Sequence, residues 1–324
     1  MWNNALAGTN YTVQTVSSLP GGTNWVDYVQ LPVTNNVNTN RLVDFKPPTG
    51  MVIIPAGSFT MGNATGDGDI LGASLTTVTV SAFYMDVNLV TSNLWLSVYT
   101  FATNCGYTFV HPGAAAAGNQ PIVLLDWYDC VKWCNARSAQ AGLTPVYYTD
   151  GGLTKVYTNG DSGTTVYANW GVNGYRLPTE SEWEKAARGG VSGLRFPWGN
   201  TIAESQANYF GNTSYSYDLG PNGFNAIGNY PTSFPGTSAG GSFAPNGYRL
   251  NDMAGNVMQW CWDWYATPYA GGSDPRGPTG PLVYRTYRGG YWEGEAAYAR
   301  CAQRGYGDPH FSNYGSGFRC VRGH

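Results

Sequence analysis

The chain is 324 residues long with a formal net charge of −3, and Asp, Glu, Lys and Arg make up only 11% of it, against about 25% in an average globular protein. No Lys/Arg run supplies the footprint of a nucleic-acid binder, and no run of about 18 apolar residues supplies a membrane span. The 44 Gly and 19 Pro disfavour a helical bundle and favour a loop-rich, β-containing domain with an Asn-, Thr-, Ser- and Tyr-rich surface. Such a surface suits an extracytoplasmic or secreted protein, although no signal peptide is visible at Met1–Asn4.

Residues 1–49 alternate polar and apolar side chains (Tyr11 and Val13, Tyr28 and Gln30, Leu42, Val43 and Phe45) between turns rich in Gly, Pro and Asn. They are expected to form a small β-rich extension hinged at Pro47-Pro48, consistent with the tail of an upstream domain in a longer multidomain chain. The main domain is expected over residues 50–324. MVIIPAGSFTMG (51–62) predicts two strands around a Pro-Ala-Gly turn, and residues 78–85 alternate again. Thr91 is expected to cap a helix running through Trp95 and Val98. Asp126 opens a second, with Asp129 near its positive end, Trp127, Val131 and Cys134 on one side and Gly142 as its stop. Residues 143–173 predict a Gly/Thr/Tyr-rich hairpin.

RLPTESEWEKAARGG (176–190) holds the clearest local signal. Thr179 and Glu182 form a capping box, Trp183 and Ala186-Ala187 supply a buried face, and Gly189-Gly190 ends the helix. Its glutamates are read as structural. Beyond residue 191 helical periodicity nearly vanishes. FPWGN (196–200), ANYFGN (207–212) and residues 214–247 read as loops on aromatic anchors. RTYRGGYW (285–292), ARCAQR (299–304) and GFRCVR (317–322) read as short strands. Arg176, Arg249, Arg288 and Arg319 are expected to pin loop carbonyls or carboxylates. Trp183, Trp198, Trp260 and Trp264 are assigned to the core. The six cysteines, at 105, 130, 134, 261, 301 and 320, include no C-x-x-C, which argues against a structural zinc site. One or two disulfides to Cys301 or Cys320 are compatible with the spacing, and their pairing stays open.

Taken in order, IPAGSFTMG, QPIVLLDWYDCVKWCN, GYRLPTESEWEKAARGG, FPWGN, NGYRLNDMAGNVMQW, YRGGYW and GFRCVR resemble the domain of formylglycine-generating enzyme and its sulfatase-modifying-factor relatives. The resemblance spans roughly residues 51–322. It implies an α+β, loop-rich variant of the C-type lectin fold, with small twisted sheets, a few helices and bound calcium. Carried over residue by residue, one calcium site uses Asp252, the carbonyls of Gly255 and Val257, and Gln259. A second uses Asn208, the Tyr209 carbonyl, Asn222 and the Phe224 carbonyl. Calcium takes about six to eight such oxygens. Relatives usually carry Trp-Glu where this chain has Met258-Gln259, so the first site keeps only the Asp252 carboxylate and its charge match is weaker, and the second has no carboxylate in its set. A tight turn inside an aromatic core is the competing reading of the Gly-Asn segment.

Activity transfers less well. The resemblance places two copper-holding cysteines at about Gly294 and Ala299, and neither is the soft thiolate that Cu(I) requires. Only Cys301 remains there, resembling the family's structural cysteine. A branch with a three-histidine iron site is not matched by His111, His310 and His324, which show no H-x-x-x-H spacing. In relatives the loops after RGGYW and before GFRC line the ligand cleft, and some relatives use this region as a hypervariable binding surface. Trp127, Trp292, Tyr298, Arg300, Arg304, Tyr306 and Tyr314 are therefore candidates for holding a glycan or peptide ligand without redox chemistry.

A glycan hydrolase is the second reading, with Glu293, Glu295, Asp308 and His310 as its catalytic candidates. Glycosidases set two carboxyl groups about 5–5.5 Å or about 6.5–9.5 Å apart, and on a strand Glu293 and Glu295 share a face. Solvated loop charges, or ion pairs of these glutamates with Arg300 and Arg304, are the simpler reading. Cys301 with His310 as base is weighed against a buried or disulfide-bonded cysteine.

Overall fold

The computed structural model describes residues 47–161, 165–228 and 234–324 in full, with the backbone of four short strands before residue 47. The chain divides into two compact units, Met1–Lys46 and Pro47–His324. In the first, Asn10–Thr15 pairs antiparallel with Val26–Pro32, and Trp2–Asn3 with Val37–Asn38. The alternation at Tyr11, Val13, Tyr28 and Gln30 falls on the longer pair, whereas Leu42, Val43 and Phe45 lie outside the described residues.

In the second unit the Pro-Ala-Gly turn separates Met51–Ile54 from Gly57–Met61, and the two strands join different sheets. The first joins a four-stranded sheet in the order 175–176, 321–323, 83–86, 51–54. The second pairs with Thr76–Val80. Val321–Gly323 lies between Tyr175–Arg176 and Phe83–Asp86, so the end of the chain is built into the middle of the sheet. Another four-stranded sheet, ordered 304–307, 285–288, 258–264, 316–317, carries the C-terminal loops. Within it Trp264 sits opposite Arg285, beyond a register shift that follows Trp260. Such an irregularity twists a strand and re-aims its last side chains.

Helix α1 (Ser92–Asn104) is capped by Thr91, and α2 (Trp127–Gln140) by Asp126, whose carboxylate accepts from the Asp129 N–H at 2.6 Å. The expected buried side of α2 is too narrow. Every residue from Trp127 to Ser138 is buried, because α1 and the strands at 147–148 and 175–176 all pack on this helix. Lys132 and Arg137 tolerate that burial by meeting Asp129, Asp161 and Asp86. Helix α3 (Glu180–Ala187) carries the Thr179–Glu182 capping box, and Gly189 and Gly190 end it at φ 60° and 88°.

Trp95 and Trp133 stack 5.7 Å apart, with Phe318 edge-on to both. Trp183 belongs to a second core with Met85, Cys261, Cys301 and Val321. The disulfides considered from the sequence do not form: all six cysteines are free thiols. Cys134 and Cys320 touch as thiols at 3.5 Å, while Cys301 sits in the other core.

Candidate ligand-binding cleft

The strand Met258–Trp264 ends, the strand Arg285–Arg288 begins, and the loop after Arg304–Gly307 departs at one edge of the second four-stranded sheet. A cleft of about 520 Å³ opens there. Buried Tyr128 and Arg285 and half-buried Trp262 and Trp264 line it, together with exposed Tyr167, Arg276, Asp308 and His310. Trp262 and Trp264 are two residues apart on one strand, a spacing that turns both rings to the same side. Gly280 makes room for the second ring, since a Cβ there would lie 1.8 Å from Trp264 Nε1.

The Arg285 guanidinium carbon lies 3.7 Å from the Trp127 ring centroid and 3.5 Å from that of Trp264. Two rings that close to a planar group must occupy its opposite faces, so the cation is sandwiched. Trp262 is a third ring at 5.0 Å, and its carbonyl accepts from Arg285 Nη1. Nε is buried with no acceptor. Burial pulls the Arg285 pKa down to about 9, which still leaves it cationic at neutral pH. The π faces offset part of its desolvation. At the rim His310 Nδ1 lies 3.0 Å from Asp308 Oδ1, and its ring is 4.8 Å from that of Tyr128.

The sequence-derived candidates are dispersed around this cleft. Asp308 and His310 line it. Trp127 is fully buried and contributes only the inner face against Arg285. Trp292 is 2% exposed, packs on Phe224 and Phe234, and donates to the Tyr314 carbonyl, so it is core. Arg300 is held by Asp67 and Asp69, and Arg304 by Glu180, which corrects both their ligand-binding role and their expected pairing with Glu293 and Glu295. Tyr298, Tyr306 and Tyr314 are exposed; Tyr306 packs on Tyr265 and Tyr284, and Tyr314 on Phe234.

Glu293 is exposed, whereas Glu295 is held by Asn212 and Tyr215. The two do not share a strand, because residue 295 caps a short 3₁₀ turn at Ala296–Ala299. Cys301 is buried 1% exposed, and burial pushes its thiol up to about 12, far from a nucleophile's range. Sequence reasoning missed Arg285, Tyr128, Tyr167 and Arg276 and placed Trp264 in the core. The period-two tryptophans at 260, 262 and 264 are the signal that marked the strand.

The expected calcium residues divide. Asp252 Oδ2 accepts from the Gly241 N–H at 3.1 Å, and Oδ1 is buried without a partner, an oxygen free for a cation. Gly255 supports the turn at φ 76°, pressed against the Asn208 carbonyl where no Cβ fits. Gln259 does not fit. Its Oε1 accepts from Trp183 Nε1 at 2.8 Å and from Arg319 Nε at 2.7 Å. Two donors on one atom identify it as oxygen, so the atom facing the Asp252 carbonyl at 3.0 Å is the amide nitrogen. In the second set, Phe210–Gly211 pairs with Gly223–Phe224, which sets the two segments side by side. The Asn222 oxygen, however, is taken by the Thr213 N–H and hydroxyl, and the Asn208 amide donates to the Gly236 carbonyl. Elsewhere His111, Asp126 and Asp129 converge within 4.8 Å, but Lys132 Nζ already lies 3.2 Å from Asp129 and supplies the cation.

Small sheets, three α-helices among the described residues, long pinned loops and a C-terminal strand returned to the first sheet define the formylglycine-generating-enzyme variant of the C-type lectin fold. The chain belongs to the family of the sulfatase-modifying factor enzyme 1-like domain, whose profile matches residues 39–324. It is 31% identical over 299 residues to the formylglycine-generating enzyme of Bos taurus, covering 86% of this chain and 76% of that one. It is 34% identical over 278 residues to the serine/threonine-protein kinase pkn1 of Chlamydia pneumoniae, where the match covers 85% of this chain but only 38% of the relative. Among solved structures it is similar to Treponema denticola variable protein 1, with a TM-score of 0.65, 28% identity, and coverage of 85% and 95% of the two chains.

Proposed function

We propose that this domain is a non-redox ligand-binding module and that its ligand is a glycan held in the cleft at Trp262 and Trp264. The observation that carries this reading is the pair of half-buried indoles on one strand end, joined by Tyr128 and the exposed Tyr167 in a cleft of about 520 Å³. Indole faces pack on the C–H faces of sugars, and a cleft of that size suits a short oligosaccharide. An oxidase role is not part of the proposal, since residues 294 and 299 are Gly and Ala and the Cys301 thiol is held protonated.

The hydrolase reading draws less support, because Asp308 is the only carboxylate among the described cleft-lining residues and a glycosidase needs two. Calcium at the Gly-Asn turn would have only Asp252 and the Gly255 and Val257 carbonyls, a set short of the about six to eight oxygens the ion takes, because the Gln259 oxygen is already engaged. An extracytoplasmic location suits the low-charge surface.

Titration of the purified protein against immobilised glycans tests the reading. Trp264→Ala should lower affinity by about 1.5–3 kcal/mol, the scale of one lost aromatic contact, with the unfolding midpoint measured in parallel. Unchanged glycan affinity in a folded Trp264→Ala protein would remove the cleft as the binding site.

A further inference from the structure

Among the described residues, one buried arginine has neither a carboxylate partner nor a full set of hydrogen-bond acceptors. The buried guanidinium groups of Arg137, Arg176, Arg188, Arg288, Arg300 and Arg304 each meet a carboxylate. Arg319 meets none, but its N–H groups are taken up by the carbonyls of Asp86, Val87, Asn251 and Asp252 and by the Gln259 oxygen. Arg285 has neither arrangement. It is 2% exposed, gives one hydrogen bond to the Trp262 carbonyl, leaves Nε without an acceptor, and lines the cleft. A desolvated charge left unpaired is costly, and the flanking indoles offset only part of that cost. An anionic group arriving from the cleft would supply the missing partner beside the ring that stacks its ligand.

We propose that Arg285 is the anion-docking group of this cleft and that the glycan it takes is acidic, a hexuronic acid with its carboxylate at the guanidinium and its ring on Trp264. The proposal rests on the glycan reading above and names its chemical class. Exposed Arg276, whose guanidinium lies 4.4 Å from the Trp170 ring, adds a second positive group to the lining. Asp308 is also in the lining, which therefore carries two guanidinium groups against one carboxylate. A carboxylate on a peptide offers the same group to Arg285, so acidic peptides form the competing arm of the test.

The experiment is calorimetric titration with a glucuronate-containing tetrasaccharide, with the same tetrasaccharide after reduction of its carboxyl groups to alcohols, and with a hexaglutamate peptide. The expected result is a preference of about tenfold or more for the uronate over its reduced form, lost in Arg285→Gln and only partly reduced in Arg276→Gln, with weaker binding of the peptide. Equal binding of the two saccharides overturns the role of Arg285 and leaves the glycan reading standing. Binding of neither saccharide overturns the glycan reading itself, and the present inference with it. Tighter binding of the peptide overturns the sugar as occupant. Should Arg285→Gln fail to fold, the exposed Arg276→Gln decides: a preference that survives there supports Arg285, and one lost there moves the anion to Arg276 and overturns the assignment.

Discussion

Arg319 Nε donates to Gln259 Oε1 at 2.7 Å, and that one contact fixes which end of the amide faces the Gly-Asn turn. Trp183 Nε1 binds the same oxygen, so the amide nitrogen is turned toward the Asp252 carbonyl. A carboxylate at position 259 could serve the two donors with one oxygen and a cation with the other; the amide cannot. Calcium at millimolar concentration is therefore expected to move the thermal midpoint of this protein, measured against chelator, by less than about 1 °C. Gln259→Glu should be destabilised in chelator and recover by several degrees when calcium is added. Equal calcium responses in the two proteins would show that residue 259 plays no part in cation binding.

Glu184 is fully buried at the centre of an ion-pair network. Its Oε1 accepts from the Gly62 N–H and from Arg188, and its Oε2 from Arg288. Replacing it by Gln keeps the shape but leaves two buried guanidinium groups short of charge. Breaking one partner of such a pair costs about 3–5 kcal/mol. Urea unfolding of Glu184→Gln should show a loss of that size, whereas a loss below about 1 kcal/mol would make the network no stronger than a surface pair.

Stability should fall as pH rises from weakly acidic to weakly basic. Burial, reinforced by Glu180 and Glu182, lifts Asp263 to about 8, against some relief from Arg304. Burial and the neighbouring Asp129 lift Asp126 to about 7. In the unfolded chain both ionise near a pKa of about 3.9. Their contribution is thus full below that value and is lost as pH rises through the folded values. Asp67 works in the opposite sense: hydrogen bonding to Arg195 holds it down at about 2, so its contribution is lost only as pH falls toward that value. Denaturation curves between pH 4 and pH 8.5 should show the decline. Asp263→Asn should flatten it, because Asn keeps an acceptor for the Glu180 N–H and cannot ionise. An unaltered slope in the variant would assign the decline elsewhere.

Thiol counting should separate free from bonded cysteines. Cys105 is exposed and the other five are buried. Burial raises the thiols of Cys130, Cys134 and Cys261 well above the usual cysteine range, so they react slowly even when transiently reached. An aromatic disulfide reagent is expected to label one cysteine in the native protein and all six after denaturation without reductant. Four on denaturation would show that one pair has joined.

Local signals in the chain were legible. The three helix caps at Thr91, Asp126 and Thr179 depend on a side chain reaching an N–H three residues on, a contact set by local sequence alone. The strand pair around Pro55-Ala56 and the glycine stops after α3 are local in the same way. Arg300 and Arg304 were misread as ligand contacts for the opposite reason. Their carboxylates, Asp69 and Glu180, come from 231 and 124 residues away, and no local pattern announces them. The aromatics were sorted wrongly by the same limit: Trp292 and Trp264 both end segments rich in rings, and only the neighbouring chain covers the first and leaves the second half open.

The amino-acid sequence by itself determined the family and the caps, because each is written in contiguous residues. Tertiary structure alone decided that Gln259 turns its nitrogen inward and that Arg285 lies between two indoles without an anion. The physical reason is common to both. The charge state and hydrogen-bond capacity of a buried group are set by what packs around it, and here those partners arrive from strands and loops distant in the chain.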